Sequence, residues 1–336
     1  MSCVTFADAI DEVVAERMAS DPRVVLFGED VQLIRRNLYA RFGGRRVRNA
    51  PISEAAFLGA AVGASMAGLR PVVEIMMADF LTVAVDALVN HAAKLEAFSG
   101  GTWTAPFVVR VACGGGYGDG GQHEQSLWGW LGHIPGLAIV VPSNPADAAG
   151  LMRMALAHDG PIVFMEHKLL SDPWLESLGR GGRTTVAFDV PTAGARAERP
   201  PPEPIPLGTA AVRRTGTDLT LVSLGVGVHR ALEAAEELER HAVSTAVVDL
   251  RSVAPLDVGC LCEQVARTGR VVVIDEDYLG FGLSGEVAAR LLEAGIRPRF
   301  ARVATAGTIP YARDLELEAL PNTLRILDAC QQLLKD

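Results

Sequence analysis

Apolar residues recur along the chain in two alternating patterns. Short runs rich in β-branched residues, VVLFG (24–28), PVVEIM (71–76), FVVRVA (107–112), AIVVP (138–142) and IVFME (162–166), are separated by longer stretches of helical character. Runs of this length suit strands buried on both faces, and their alternation with helices predicts a mostly parallel sheet with helical cover. The pattern returns in LTLVSLG (219–225), STAVVDL (244–250), RVVVIDE (270–276) and ARVAT (301–305). Between these, His229 to His241 carries apolar residues at 232, 235, 238 and 242, a spacing that places them on one helix face. The two halves are divided by VPTAGARAERPPPEPIPLG, which concentrates proline without apolar periodicity and reads as a linker. The predicted fold is α/β with two domains, each a mostly parallel sheet covered by helices. Their expected bounds are 1–189 and 208–336, with the linker at 190–207.

The length of 336 residues fits that division, and a hydrophobic content of 49% supplies two cores. With 31 basic against 40 acidic residues, the formal charge of -9 excludes binding to nucleic acid or to an anionic membrane by bulk electrostatics. The apolar stretch from Ala55 to Ala67 is threaded with glycine and falls short of the roughly 20 residues a spanning helix needs. The N-terminus is acidic where a signal peptide is basic, and it predicts a helix capped by Thr5 and a cytoplasmic protein. Five cysteines, at 3, 113, 260, 262 and 330, give neither a disulfide framework nor paired zinc knuckles. Cys260 and Cys262 read as buried thiols.

Two segments could carry chemistry. In PISEAAFLGAAVGASMAGL, Pro51 and Ser53 predict a helix start with Glu54 in its first turn. A carboxylate there serves the helix dipole or a ligand, and composition does not separate the two. The small residues Gly59, Ala60, Gly63, Ala64 and Ala67 allow a second backbone to approach. In VACGGGYGDGGQHEQS, a strand runs into a glycine-dense loop that ends at His123, flanked by Gln122, Glu124 and Gln125. Loops at the carboxyl ends of parallel strands are where open α/β sheets bind ligands, so His123 is a candidate acid, base or electrostatic group. Its rival is an ordinary loop histidine, and His133 reads as structural. Gly118-Asp119-Gly120 followed by Asn144 imitates a diphosphate-and-magnesium motif, but the motif should open where a strand ends. Asn144 is better read as a helix N-cap. No G-x-S-x-G elbow follows a strand, and the loop after LTLVSLG lacks G-x-G-x-x-G spacing, which weakens hydrolase and nicotinamide readings.

Several segments together carry a resemblance. They are LFGEDV (26–31), PISEAAFLGAAVGASMAGLRPVVEI (51–75), ADF (78–80), LVNHAAKLEAFSGG (88–101), GGQHEQS (120–126), HIPGLAIVVPSNPADAAGLM (133–152), LRSVAPLD (250–257) and TIPYARDLE (308–316). The chain resembles, nearly end to end, the beta chains of thiamine-diphosphate-dependent 2-oxo acid dehydrogenases, the decarboxylating first components of the pyruvate, branched-chain and acetoin complexes. The resemblance implies a thiamine-diphosphate pyrimidine-binding domain followed by a transketolase C-terminal-like domain. It implies an alpha2beta2 heterotetramer whose alpha chain holds magnesium and the diphosphate, with a lipoyl acyltransferase component as acceptor. Glu54 then matches the glutamate that bonds the aminopyrimidine nitrogen and drives its tautomer change. Phe80 matches the aromatic packed on that ring, Ile52 and Met76 line it, and His123 matches the histidine beside the reactive carbon. A potassium ion would be held by the backbone carbonyls of Phe107, Ala155, Leu156, His158 and Gly160. The segment between Val31 and Pro51 is shorter than is usual, and Asp119 and Glu124 make the histidine loop more acidic. These departures surround the substrate mouth. They keep two alternatives open: a two-chain transketolase-like or acyloin-forming carboligase, and a non-catalytic scaffold docking a carrier component.

Overall fold

The computed structural model of the chain describes residues 3–171, 189–198 and 203–335. The strands are β1 (Cys3–Thr5), β2 (Val24–Glu29), β3 (Val47–Ala50), β4 (Arg70–Met77), β5 (Val108–Cys113), β6 (Ala138–Val140), β7 (Ile162–His167), β8 (Arg196–Glu198), β9 (Ala211–Arg214), β10 (Leu219–Ser223), β11 (Thr245–Asp249), β12 (Ser252–Ala254), β13 (Arg270–Tyr278) and β14 (Arg299–Thr305). They form a 7-stranded sheet in the order β12-β6-β7-β5-β4-β2-β3, a 5-stranded sheet in the order β14-β13-β10-β11-β9, and the pair β1-β8. Pairing is parallel throughout the two large sheets except at the edge strands β12 and β9. Every apolar run singled out in the sequence lies on a strand, and the fold is α/β with a sheet in each half.

The central strands β5 and β7 are buried at every position, which is why their sequences run apolar without alternation. On one face, the helices Phe6–Ser20 and Pro145–Ala157 close a core containing Phe6, Ile10, Val14, Leu151 and Met152. Thr5 caps the first of these, its hydroxyl accepting from the Asp8 N–H at 3.1 Å. Asn144 caps the second, its side-chain oxygen accepting from Asp147 N–H at 3.0 Å. On the other face, the helix Glu54–Met66 buries Phe57, Leu58 and Ala61 in a core that continues into the second sheet through Val222, Val248, Leu250 and Val271. The two halves therefore share one apolar interior. The second half also lends β12 to the first sheet, a three-residue strand too short to announce itself by pattern.

The proline-rich stretch is seated on the protein where it is described. Thr192–Ala195 forms a helical turn, Arg196–Glu198 pairs antiparallel with Cys3–Thr5, and the Ile205 N–H donates to Gly150 O at 3.1 Å. Residues 199–202 of the expected linker lie outside the described residues, as do residues 172–188 just before the expected end of the first domain. The segment after Val31 is anchored by charge. Arg35, fully buried, pairs with Glu74 at 2.6 Å, and beside it Arg110 pairs with Asp11 at 2.5 Å and with Glu166. Among the described residues no helix is long and apolar enough to cross a membrane.

Candidate active site

Because β3, β2, β4, β5 and β7 run parallel, their carboxyl ends share one edge of the sheet. The candidate residues gather there. Glu54 follows β3, Glu29 ends β2, Met76 and Phe80 lie at the end of β4, the glycine loop and His123 follow β5, and Lys168 follows β7. Three strand spacings separate β3 from β5, roughly 14 Å at about 4.8 Å each, so the Glu54 and His123 ends are set apart along a shelf.

At the Glu54 end, the helix begins at Glu54 itself, and Ser53 makes no side-chain cap. The glutamate is 7% exposed, and its carboxylate accepts no hydrogen bond among the described residues. A nearly buried carboxylate without a donor is costly unless something else supplies one. The neighbouring Glu29 carboxyl is raised above its ordinary value by burial and by the negative charges of Glu54 and Asp30. Ile52 is 77% exposed. The outer face of the helix, with Ala55, Ala56, Gly59, Ala60 and Gly63 or its immediate neighbours facing out, is open, and a Cβ at Gly59 or Gly63 would meet nothing within 4 Å.

The His123 end is crowded. Gly114, Gly116, Gly118 and Gly120 adopt φ of 94°, 88°, 81° and 67°, a backbone that only glycine takes without strain. At Gly114 a Cβ would also run into the His167 ring. The resulting turn aims consecutive N–H groups at carboxylates. Gly115 donates to Glu276 at 2.7 Å, Gly116 and Gly118 to Glu316 at 2.9 and 3.0 Å, and Tyr117 and Asp119 to Glu124 at 2.8 and 3.1 Å. The Gly118-Asp119-Gly120 stretch thus directs its donors to the chain's own carboxylates, which a diphosphate would have to displace. Burial opposes ionisation of Glu276, but His167, bonded at 2.9 Å, holds the carboxyl below its ordinary range.

His123 itself stands edge-on to Phe80, with centroids 5.7 Å apart and planes at 82°. Its Nδ1 is buried with no hydrogen-bond partner. Its carbonyl accepts from the Nζ of Lys168, a fully buried lysine whose pKa is lowered by burial against the pull of Glu124, Asp119 and Asp79. Met76 packs with Phe80 against Met77 and Ala112. Asp79 receives Gln125 Nε2 at 2.7 Å, and Gln125 accepts from the Tyr278 hydroxyl at 2.9 Å. The second Asp79 oxygen is buried without a partner, and burial raises its pKa. Sequence reasoning placed Glu54, Phe80, Met76 and His123 but missed Asp79, Lys168, Tyr278, Glu276 and Glu316. The last three come from the second half and carry no local signal linking them to the loop. His133 lies outside the site, exposed at the C-terminal end of the helix Trp128–Gly132.

The potassium ligand set meets a competing cation. Arg70 donates to the carbonyls of His158 at 2.9 Å and Leu156 at 3.4 Å, and to Asp159 at 2.5 Å. Phe107 O already accepts from Ile162 N–H at 3.1 Å, and Ala155 O from His158 N–H at 3.3 Å. Each of these carbonyls has a second lone pair, so a cation there would lie beside the Arg70 guanidinium.

Residues 2–172 match the family described as transketolase, pyrimidine binding domain, and residues 208–326 match transketolase, C-terminal domain. The chain is 36% identical over 98% of its length to the pyruvate dehydrogenase E1 component subunit beta of Rhizobium meliloti, covering 69% of that protein. It is 36% identical to the 2-oxoisovalerate dehydrogenase subunit beta of Bacillus subtilis, covering 99% of each chain. It is 35% identical to the acetoin:2,6-dichlorophenolindophenol oxidoreductase subunit beta of Cupriavidus necator, covering 97% of this chain and 96% of that one. Among solved structures, a split-gene transketolase described as an inactive beta4 tetramer superposes with a TM-score of 0.79 at 21% identity, covering 99% of this chain and 98% of that chain. A pyrimidine-binding domain whose sheet edge carries Glu54, Phe80 and His123, joined to a transketolase C-terminal domain, places the molecule: the chain belongs to the family of beta subunits of thiamine-diphosphate-dependent 2-oxo acid dehydrogenases.

Proposed function

We propose that the chain supplies half of an active site, completed by an alpha subunit that holds magnesium and the cofactor diphosphate, in an alpha2beta2 heterotetramer that decarboxylates a 2-oxo acid and passes the acyl group to a lipoyl acceptor. The observation that carries this reading is the pair of unsatisfied groups on one shelf: the nearly buried Glu54 carboxylate at one end and the buried Nδ1 of His123 at the other. Thiamine diphosphate, when bound, supplies the electron sink that decarboxylation requires and that no side chain offers. Glu54 takes up and returns a proton at its carboxylate oxygen, facing the aminopyrimidine. Phe80 gives that ring an apolar surface and fixes the imidazole edge-on, and Met76 lines the same wall. Ile52, exposed in the chain alone, is covered when cofactor and alpha subunit seat. His123 presents the accessible part of its imidazole to the polar end of the substrate, where it holds or moves a proton. A potassium ion on the carbonyls of Phe107, Ala155, Leu156, His158 and Gly160 would share two of them with Arg70.

The test is reconstitution of the chain with its alpha partner, followed by assays with a series of 2-oxo acids and either a lipoyl-domain protein or free aldehydes. Acyl transfer to the lipoyl domain is the expected result. Carboligation with aldehydes alone indicates an acyloin-forming enzyme, and equal turnover by the Glu54→Gln and His123→Ala variants reduces the chain to a scaffold.

A further inference from the structure

The loop before His123 is held in an unusual way. Four successive N–H groups, from Gly116 to Asp119, are received alternately by Glu316 and Glu124, so the two carboxyls lie against the same short piece of backbone. Both residues are wholly buried. The second oxygen of Glu124 is buried without a hydrogen-bond partner among the described residues, and the Glu316 carboxyl, held on the same four N–H groups, is its neighbour. Two carboxylates cannot bond to one another without a proton, and two buried like charges at contact repel strongly. The charge of Lys168 also acts on Glu124, and its Nζ donates to the carbonyl of His123 and lies 5.1 Å from the Tyr117 ring.

We propose that Glu124 and Glu316 share a single proton and, together with Lys168, form a clamp that positions His123. One charge on the carboxyl pair balances the one on Lys168, the loop's donors are satisfied, and the imidazole is fixed through its own backbone. Glu124, Glu316 and Lys168 are positioning residues, since none touches the reacting atoms. The inference rests on the reading of His123 given above. It makes the second half of the chain, which contributes Glu316, part of the apparatus that aligns the histidine.

The clamp has a pH limit. Among the described residues, the charged and titratable groups that face it are Asp119 and Tyr117 on the loop, Asp79 after β4, Cys113 at the end of β5, Lys168 after β7, and Glu316 with Arg313 on the helix Arg313–Ala319. Burial and the neighbouring Glu316 carboxyl push the Glu124 carboxyl up to about 8. Burial works against ionisation of Glu316, yet the proton shared by Glu124, the Gly118 N–H and Arg313 hold its carboxyl below the ordinary range. Between the ordinary carboxyl value and about 8 the folded protein keeps a proton that the unfolded chain has lost. Stability from the clamp is therefore largest at the acid end of that window and declines as pH rises through it. Above it, a second buried negative charge opens the loop and displaces His123.

The experiment compares the pH profile of turnover for the reconstituted enzyme, at saturating cofactor and 2-oxo acid, in wild type and Glu124→Gln. An amide keeps the pattern of one donor toward Glu316 and one acceptor toward the loop but cannot ionise. The wild type is expected to lose kcat with a midpoint near pH 8, and the variant to lose it at a midpoint about one pH unit or more higher, with the change in kcat rather than in KM. Infrared spectra of the wild-type chain should show a carboxylic acid C=O band at neutral pH that vanishes with the same midpoint and is missing from the variant. Coincident alkaline limbs in the two proteins overturn the coupling to turnover, and absence of the band overturns the shared proton. A His123→Ala enzyme with wild-type turnover sinks the reading of His123 instead, and leaves the band and its midpoint unaffected.

Discussion

The two ends of the shelf are built on opposite plans. Around Glu54 the chain leaves things open: an unpartnered carboxylate, an exposed Ile52 and a helix face of small residues that touches nothing. Around His123 it closes them: consecutive loop N–H groups have carboxylate acceptors, Lys168 holds the histidine carbonyl, and the second half of the chain locks the loop through Glu276, Glu316 and Tyr278. On the proposed function, the closed end is the part the chain preorganises by itself, and the open end is the part left for a cofactor and a partner. Preorganised groups contribute most when they need no rearrangement as charge develops, and this fits the end assigned to the reacting atoms.

Substitutions at the two ends should differ accordingly. The largest effect is expected from Glu54→Gln, which lowers kcat of the reconstituted enzyme by about 10²- to 10⁴-fold while thermal denaturation of the chain alone changes little. A large loss of melting temperature in this variant would mean that Glu54 serves the helix. Next comes Gly114→Ala at the closed end. The positive φ and the His167 ring leave no room for a methyl group, and a cost of about 1–3 kcal/mol is expected in denaturant unfolding of the chain by itself. Gly59→Leu on the open face should change the chain's own stability by less than about 1 kcal/mol, because the site is solvent-facing and leucine is the better helix former. Its effect should emerge in sedimentation, as weakened association with the alpha partner or with a second beta chain. The effect confined to the narrowest pH range belongs to Asp277, which accepts from Gly129 N–H across the two halves at 2.7 Å and is raised to about 6 by burial and by Asp275. The folded state retains a proton there between the ordinary value of 3.8 and about 6, so stability falls as pH rises through that window. Asp277→Asn should flatten that part of the stability profile, and an unaltered slope would count against the assignment.

The legibility of these features in the sequence followed their range. The strands from β2 to β14 that run apolar were readable because burial on both faces leaves a continuous apolar signature. The edge strands Val47–Ala50, Ala211–Arg214 and Ser252–Ala254 were not, being short, partly exposed or polar. Glu54 and His123 stood out through local context, a helix start and a glycine loop. What holds His123 in place was illegible: Glu276 and Glu316 lie 161 and 200 residues from the glycines they bind, and no spacing rule connects them. The proline-rich stretch hid its pairing in a different way. Its lack of periodicity was real, but strand pairing with Cys3–Thr5 needs only backbone.

The central claim, that this chain is half of a decarboxylating site, is tested most directly by measuring thiamine-diphosphate-dependent release of carbon dioxide from a 2-oxo acid by the chain alone, by its alpha partner alone and by the two mixed. Turnover only in the mixture, abolished by Glu54→Gln, is the predicted result. Turnover by the chain alone, or an undiminished rate in the mixture containing Glu54→Gln, would contradict it.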